Sequence, residues 1–368
     1  MLANIHLNNF KCFEDQDIPC APLTFLSGKN GMGKSSVIQA LLLLRQSHLR
    51  GFLEKGIVDL KGDLVDLGAG KDILYEGANS ESIDIGIQMT EGEDFCFHLS
   101  YNQDSNALPC EKNIKNPPLE HYALFNNQFV YLEAERLGPR KWSKTSDYDV
   151  RQLRQIGSKG EFAVHFLSIF GDEPIAKDIF VHPESNNRTL KSQVECWLSE
   201  LSPGVRLDVV SILSPDLVGL RYAFQSGTHV SNPYSAPNSG FGLSYILPVL
   251  IALLSSQKNQ LIILENPEAH LHPMGQAKMG ELIARVAAVD RQIILETHSD
   301  HILNGIRCMV HEKILDPQKT KLHFFNRKED QMFPKSFLET PIMDANARLD
   351  IWPDGFFDVW EKYLEKIL

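Results

Sequence analysis

Gly28-Lys29-Asn30-Gly31-Met32-Gly33-Lys34-Ser35 reads as a complete G-x-x-x-x-G-K-[ST] phosphate loop. Its flanks fit the pattern. Leu23 to Leu26 is a short apolar strand, and Ser36 to Leu44 is an apolar helix. Glycines in such a loop let successive backbone N–H groups converge on phosphate oxygens, and the helix N-terminus adds a positive field. Lys34 reaches the outer phosphates and the Ser35 hydroxyl serves Mg²⁺. A chance glycine-rich turn is the bland alternative, and the strand and helix on either side argue against it. The stretch implies binding of a nucleoside triphosphate.

The composition sets the bounds around it. A chain of 368 residues with 43% apolar and 23% charged residues has room for a substantial core in one large or two modest domains. The net charge of −11 disfavours a nucleic-acid binder in bulk, although a local basic surface stays open. Six scattered cysteines without a C-x-x-C pair point to reduced thiols rather than disulfides or zinc. No signal peptide is expected at the N-terminus. The longest apolar run, Tyr245 to Leu254, is half a membrane span and contains Pro248. A soluble, cytoplasmic protein with no membrane segment is the expectation.

Along the chain, Ile5 through Ile18 reads as two antiparallel strands. Ile83, Ile85, Ile87 and Met89 alternate with polar residues, as do Phe95, Phe97, Leu99 and Tyr101, which predicts a hairpin with one buried face. Asn102 to Pro118 and Gly227 to Asn238 read as loops. Glu161 to Ile169 and Val194 to Leu201 read as helices, with Trp197 on a core face. Leu207 to Ile212 and Leu217 to Phe224 read as strands. Between Arg136 and Lys159 seven basic residues face only two acids. A solvated loop is preferred there over a nucleic-acid surface, because aromatic interleaving is thin.

Three later stretches extend the phosphate loop. Leu261 to Glu265 is an apolar strand ending in an acid, the Walker B pattern, whose carboxylate would hold Mg²⁺. Asn266 to Pro273 follows, then a helix with Met279, Leu282, Ile283 and Val286 on one face, then strand Gln292 to Leu295 leading to Glu296-Thr297-His298-Ser299-Asp300. Glu265 and His298 thus fall at the ends of two strands on one sheet edge, where a doubly wound fold collects its ligand. Upstream, Asn238-Ser239-Gly240-Phe241-Gly242-Leu243-Ser244 opens a helix and forms a second anion site.

This order of motifs resembles the compact, armless ABC-type ATPases of the SMC and RecF kind within the AAA group. The resemblance includes Asn9-Phe10-Lys11-Cys12-Phe13, Tyr131 to Arg140, and Trp352-Pro353-Asp354-Gly355-Phe356-Phe357-Asp358. The last of these marks a bacterial C-terminal domain of unassigned function. It implies that Gly28, Asn30, Gly31, Gly33, Lys34, Ser35 and Ser36 cradle ATP, with Ser35 and Glu265 on Mg²⁺. His298 takes the place of the switch histidine, and Ser239, Gly240, Gly242 and Ser244 stand as the signature acting on a partner's nucleotide. It also implies a homodimer or higher even oligomer, an effector subunit encoded nearby, and a part in anti-phage defence. Asn266 departs from the pattern, which often has a carboxylate there to polarise water. Glu268 is the nearest replacement.

The expected fold is α/β: one ABC-type head over residues 1–310, with an antiparallel β lobe and a helical and β insertion at about 140–225, then a small C-terminal domain over 311–368. The expected activity is slow ATP hydrolysis driving a conformational switch. The runner-up is a DNA-repair or recombination ATPase gripping DNA through Arg140, Lys141 and Lys144. A nuclease in its own right comes third, because residues 300–368 lack clustered D-x-D carboxylates. Metal binding by His270, His272, His298 and His301 is disfavoured, since no H-E-x-x-H or thiolate accompanies them.

Overall fold

The computed structural model describes residues 1–113, 118–185, 187–211, 217–328, 332–356, 364 and 366–367. The chain forms two compact units: Met1–Asn126 with Gln318–Asp344 and Arg348–Leu368, and Asn127–Pro317 with Ala345–Ala347. The first opens with β1 (Leu2–Phe10), β2 (Phe13–Pro19), β3 (Leu23–Gly28), α1 (Lys34–Leu49), β4 (Ile57–Asp59), β5 (Ser82–Met89), β6 (Asp94–Ser100) and β7 (Ala107–Asn113). The second carries β8 (Phe129–Leu132), β9 (Trp142–Lys144), α2 (Ala163–Phe170), α3 (Leu190–Ser199), β10 (Val205–Ser211), β11 (Leu217–Ser226), β12 (His229–Val230) and β13 (Tyr234–Ser235). It continues through α4 (Phe241–Leu254), β14 (Leu261–Glu265), α5 (Pro273–Ala287), β15 (Gln292–Glu296) and α6 (Asp300–His311). The chain then re-enters the first unit as β16 (Thr320–Lys328) and β17 (Lys335–Glu339). Parallel, mixed and antiparallel sheets with flanking helices make an α/β fold.

In the first unit the predicted opening pair forms, with Ile5 opposite Ile18. The predicted hairpin forms too, pairing Ile83 with Leu99, Ile85 with Phe97 and Ile87 with Phe95, all six buried. These strands belong to an antiparallel sheet of order β2-β1-β5-β6-β7-β4. The stretch expected to be a loop from Asn102 differs, because residues 107–113 form β7, with Cys110 opposite Leu99 and Leu108 opposite Val58. Its polar composition hid two inward residues, Leu108 and Cys110, and β6 supplies the partner backbone. Residues 114–117 of that stretch lie outside the described residues.

All six residues of β3 are buried. Strand β16 runs parallel to it, from Thr320 opposite Leu23 to Phe325 opposite Gly28, and β17 pairs antiparallel with β16. His323 of β16 is fully buried between Pro19 O at 2.7 Å and the Thr340 hydroxyl at 3.0 Å. A carbonyl only accepts, so Nε2 carries the proton and Nδ1 accepts from Thr340. Burial lowers the pKa of this imidazole to about 4. The unfolded chain binds that proton near its ordinary value of about 6.5. The His323 contribution is therefore whole above about pH 6.5 and shrinks as pH falls, losing up to about 3 kcal/mol by pH 4. Urea denaturation at pH 7 and 4.5 checks this; an unchanged pH slope in His323→Gln would overturn it.

In the second unit β8, β14 and β15 run parallel, with Val130, Ile262 and Ile293 in register. Their near-continuous apolar runs are what a strand covered on both faces requires. Helix α5 buries Met279, Leu282, Ile283 and Val286, the face its spacing predicts. Trp197 is buried and donates its indole N–H to Phe180 O at 3.2 Å, a core role as expected. Strands β10 and β11 pair antiparallel, although Ile212 of the expected strand lies outside the described residues. The expected loop Gly227 to Asn238 is partly ordered, since β12 and β13 both pair with β11 and a short 3-10 turn over Ala236–Asn238 leads into α4. The backbone of β11 supplies hydrogen bonds that turn-rich composition does not reveal. Among the described residues no helix is long and apolar enough to cross a membrane.

Candidate nucleotide site

The phosphate loop joins β3 to α1 inside the first unit. A Cβ on Gly28 would lie 2.4 Å from Phe325 O, so β16 can run beside β3 only because residue 28 has no side chain. A Cβ on Gly33 would meet the Phe13 ring at 2.6 Å and Cys12 Sγ at 2.7 Å. Gly31 is surrounded by open space, and its φ of 74° is what selects glycine there. Lys34 opens α1 and is buried, its ammonium donating to Gly28 O and Lys29 O, each at 2.9 Å. Asn30 and Ser35 are exposed and Ser36 is half-buried. No acid stands in the first turn of α1, so its positive end is undiminished.

In the second unit β14 and β15 end in register, Glu265 opposite Glu296. Glu265 accepts from the Tyr131 hydroxyl at 2.9 Å. Burial raises the pKa of this carboxyl, while the Tyr131 hydroxyl and the Ala134 amide pull it down. Burial, with Glu265 beside it, also pushes the Tyr131 hydroxyl up, so it remains a donor. Glu268 accepts from the His298 backbone N–H at 2.8 Å through Oε1, which ties the two turns together. Its Oε2 is buried and has no hydrogen-bond partner among the described residues. The His298 side chain is exposed.

Asn266 adopts φ 44°, its N–H donating to Glu296 O at 2.8 Å. Asparagine tolerates that left-handed conformation better than glutamate does, a backbone reason for the departure noted in the sequence. The basic run needs a correction at Arg136, expected in a solvated loop. This residue is buried, with its guanidinium 4.8 Å from the Tyr245 ring centroid. It donates to the carbonyls of Glu133 at 2.9 Å, Glu265 at 2.7 Å, Asn266 at 2.8 Å and Tyr245 at 3.2 Å. Four converging carbonyls replace its water. Arg140, Lys141 and Lys144 stay exposed, as does Trp142 between them.

The second loop opens α4, with Gly240 as its cap at φ 89° and no acid in the first turn. A Cβ on Gly242 would lie 2.9 Å from His270 O, so this helix start is pressed against the turn after β14. The His270 ring sits edge-on to Phe241 and Tyr245 at 4.6 and 4.8 Å. Ser239 donates its hydroxyl to Ser235 O at 3.1 Å, and the Ser244 hydroxyl lies 3.4 Å from that of Tyr222. Ser239, Gly240 and Gly242 line a cavity of about 360 Å³ together with Glu200, His270 and His272. The structure thus brings Glu265, Asn266, Glu268 and His298 to one end of a parallel sheet, and the glycine-serine loop against the turn between them. Tyr131 and Arg136 were missed by sequence reasoning. A tyrosine in an apolar strand reads as core, and an arginine among basic residues reads as surface.

Residues 1–153 and 187–303 match the description AAA ATPase domain, and residues 315–367 match a protein of unknown function (DUF3696). The OLD nuclease of Thermus scotoductus is 22% identical over 326 residues, 81% of this chain and 59% of that protein. The chain therefore spans about three fifths of that relative's length. Among solved structures, an Smc head bound to the C-winged helix domain of ScpA is 14% identical, covering 92% of this chain and 97% of that one, at TM-score 0.51. The SMC head domain from Thermotoga maritima is 12% identical, with 92% and 98% covered and TM-score 0.50. At such identities the likeness shows the fold. With most of its length matching the one description, the chain belongs to the AAA ATPase domain family.

Proposed function

We propose that the protein is an ATP-hydrolysing switch, two copies pairing head to tail around ATP–Mg²⁺ to control an associated effector in anti-phage defence. The observation that carries this is the glycine-serine loop at the start of α4. It is a helix N-terminus with no acid in its first turn, opening on a cavity. Together with the phosphate loop, this gives one chain two anion sites. In the proposed pair, Ser239, Gly240, Gly242 and Ser244 face the partner's nucleotide, and Gly28, Asn30, Gly31, Gly33, Lys34, Ser35 and Ser36 hold the chain's own. Ser35 and Glu265 hold Mg²⁺. Glu265 suits a hard cation, being an oxygen donor whose burial a bound charge relieves. His298 faces the outer phosphate, and Asn266 orients water.

Glu268 takes the water's proton. Oε1 is committed to the His298 N–H, and Oε2 is the acceptor left over. Glu268→Gln keeps the first bond and removes the base. We expect turnover to fall about 100-fold with ATP binding unchanged, and the pair to persist in ATP. Sedimentation velocity with no nucleotide, ADP or ATP tests the switch, together with phosphate release. Copies that associate identically in all three conditions would refute it. Similarity to the OLD nuclease favours a second reading, a nucleolytic role. Cleavage of DNA by the purified chain with Mg²⁺ and no partner would establish that reading, and inactivity would remove it.

A further inference from the structure

The C-terminal segment of unassigned function touches the phosphate loop at two points within the first unit. Phe325 of β16 lies opposite Gly28, so Arg327 falls beside the loop that β3 feeds. Its Nη2 donates to Gly31 O, near the apex of the loop, at 2.9 Å. Its Nε–H is buried and has no hydrogen-bond partner among the described residues. At the second point a Cβ on Gly355 would lie 3.2 Å from Lys29 Cε, so the turn around Gly355 rests on the Lys29 side chain. Phe356 anchors that turn: it is fully buried, edge-on to Phe324 of β16 at 5.4 Å, with Trp352 packed against it at 5.5 Å.

Arg327 as a whole is half-buried, but a buried donor nitrogen without an acceptor is costly. Each such group in a folded protein calls for a partner, whether water, ion or ligand. Here the donor belongs to a planar fork whose other arm already holds the phosphate loop. Phosphate oxygens are the acceptors that fork matches. We propose that Arg327 is a nucleotide ligand supplied in cis by the C-terminal segment, contacting the outer phosphate, and that the Gly355 turn reports whether the loop is filled. The inference rests on the phosphate-loop reading. It adds a binding residue outside every motif, and it gives the segment a task, sensing the triphosphate.

The test is equilibrium titration of the full chain with fluorescent ATP and ADP in Mg²⁺. Arg327→Ala is expected to weaken ATP about 10- to 100-fold and ADP by no more than about 3-fold. Arg327→Lys, which keeps the charge without the fork, should fall between and guards against a folding defect in the alanine variant. Hydrogen exchange of residues 350–356 should slow on ATP binding in the wild type and not in Arg327→Ala. Equal weakening of ATP and ADP, or no weakening, overturns the proposal while leaving the phosphate loop intact. A wild type that binds neither nucleotide overturns both.

Discussion

Lys34→Ala is expected to lower ATP turnover by about 10²- to 10³-fold, matching the about 3–4 kcal/mol that a donor at a reacting phosphate supplies in a water-poor site. Lys34 is the buried cation of the loop, held by the carbonyls of Gly28 and Lys29. Those two bonds pre-position an ammonium that exchanges them for phosphate oxygens. Losing them disturbs the fold little, because α1 packs through Val37, Ile38 and Leu41 to Leu44, all buried and all beyond Lys34. Phosphate release, with circular dichroism as the control for folding, gives the measurement. A Lys34→Ala protein with native spectrum and undiminished turnover would remove the nucleotide from this loop.

The largest stability effect is expected at Arg136. Its side chain joins four peptide carbonyls from three places: the loop after β8, the end of β14 and the first turns of α4. Arg136→Ala leaves those carbonyls without their donor and removes the contact with the Tyr245 ring. We expect a loss of about 3–5 kcal/mol, among the larger values for a single substitution. The melting temperature should drop by roughly 10 °C. Arg136→Lys restores the charge but cannot span four acceptors, so it should recover less than half of the loss. A variant melting within about 2 °C of wild type would mean that water replaces the guanidinium, and that this site is less dry than its burial indicates.

The parts of the fold written in local pattern were legible. Period-2 alternation placed β5 against β6, continuous apolar runs marked β3, β14 and β15, and helical spacing found the buried face of α5. The phosphate loop and the acid ending β14 were visible because their chemistry sits in consecutive residues. What stayed hidden depends on distant partners. β7 is a strand only because β6 and β4 lie on either side of it. The burial of Arg136 needs carbonyls from residues 265, 266 and 245, and Arg327 reaches Gly31 across 296 positions. Asn266 looked like a chemical substitution, and its positive φ adds a conformational cause that no spacing rule carries.

The parallel pairing of β16 with β3 has a consequence for synthesis. A ribosome delivers Leu23–Gly28 early, yet the neighbouring strand, Thr320–Lys328, emerges only after almost three hundred further residues have been polymerised. Closing so distant a pairing is slow, and the apolar edge waiting for it is prone to aggregate. A nascent chain therefore carries the loop's full motif long before the loop has its permanent wall, and chaperone occupancy of translating ribosomes should peak in that interval.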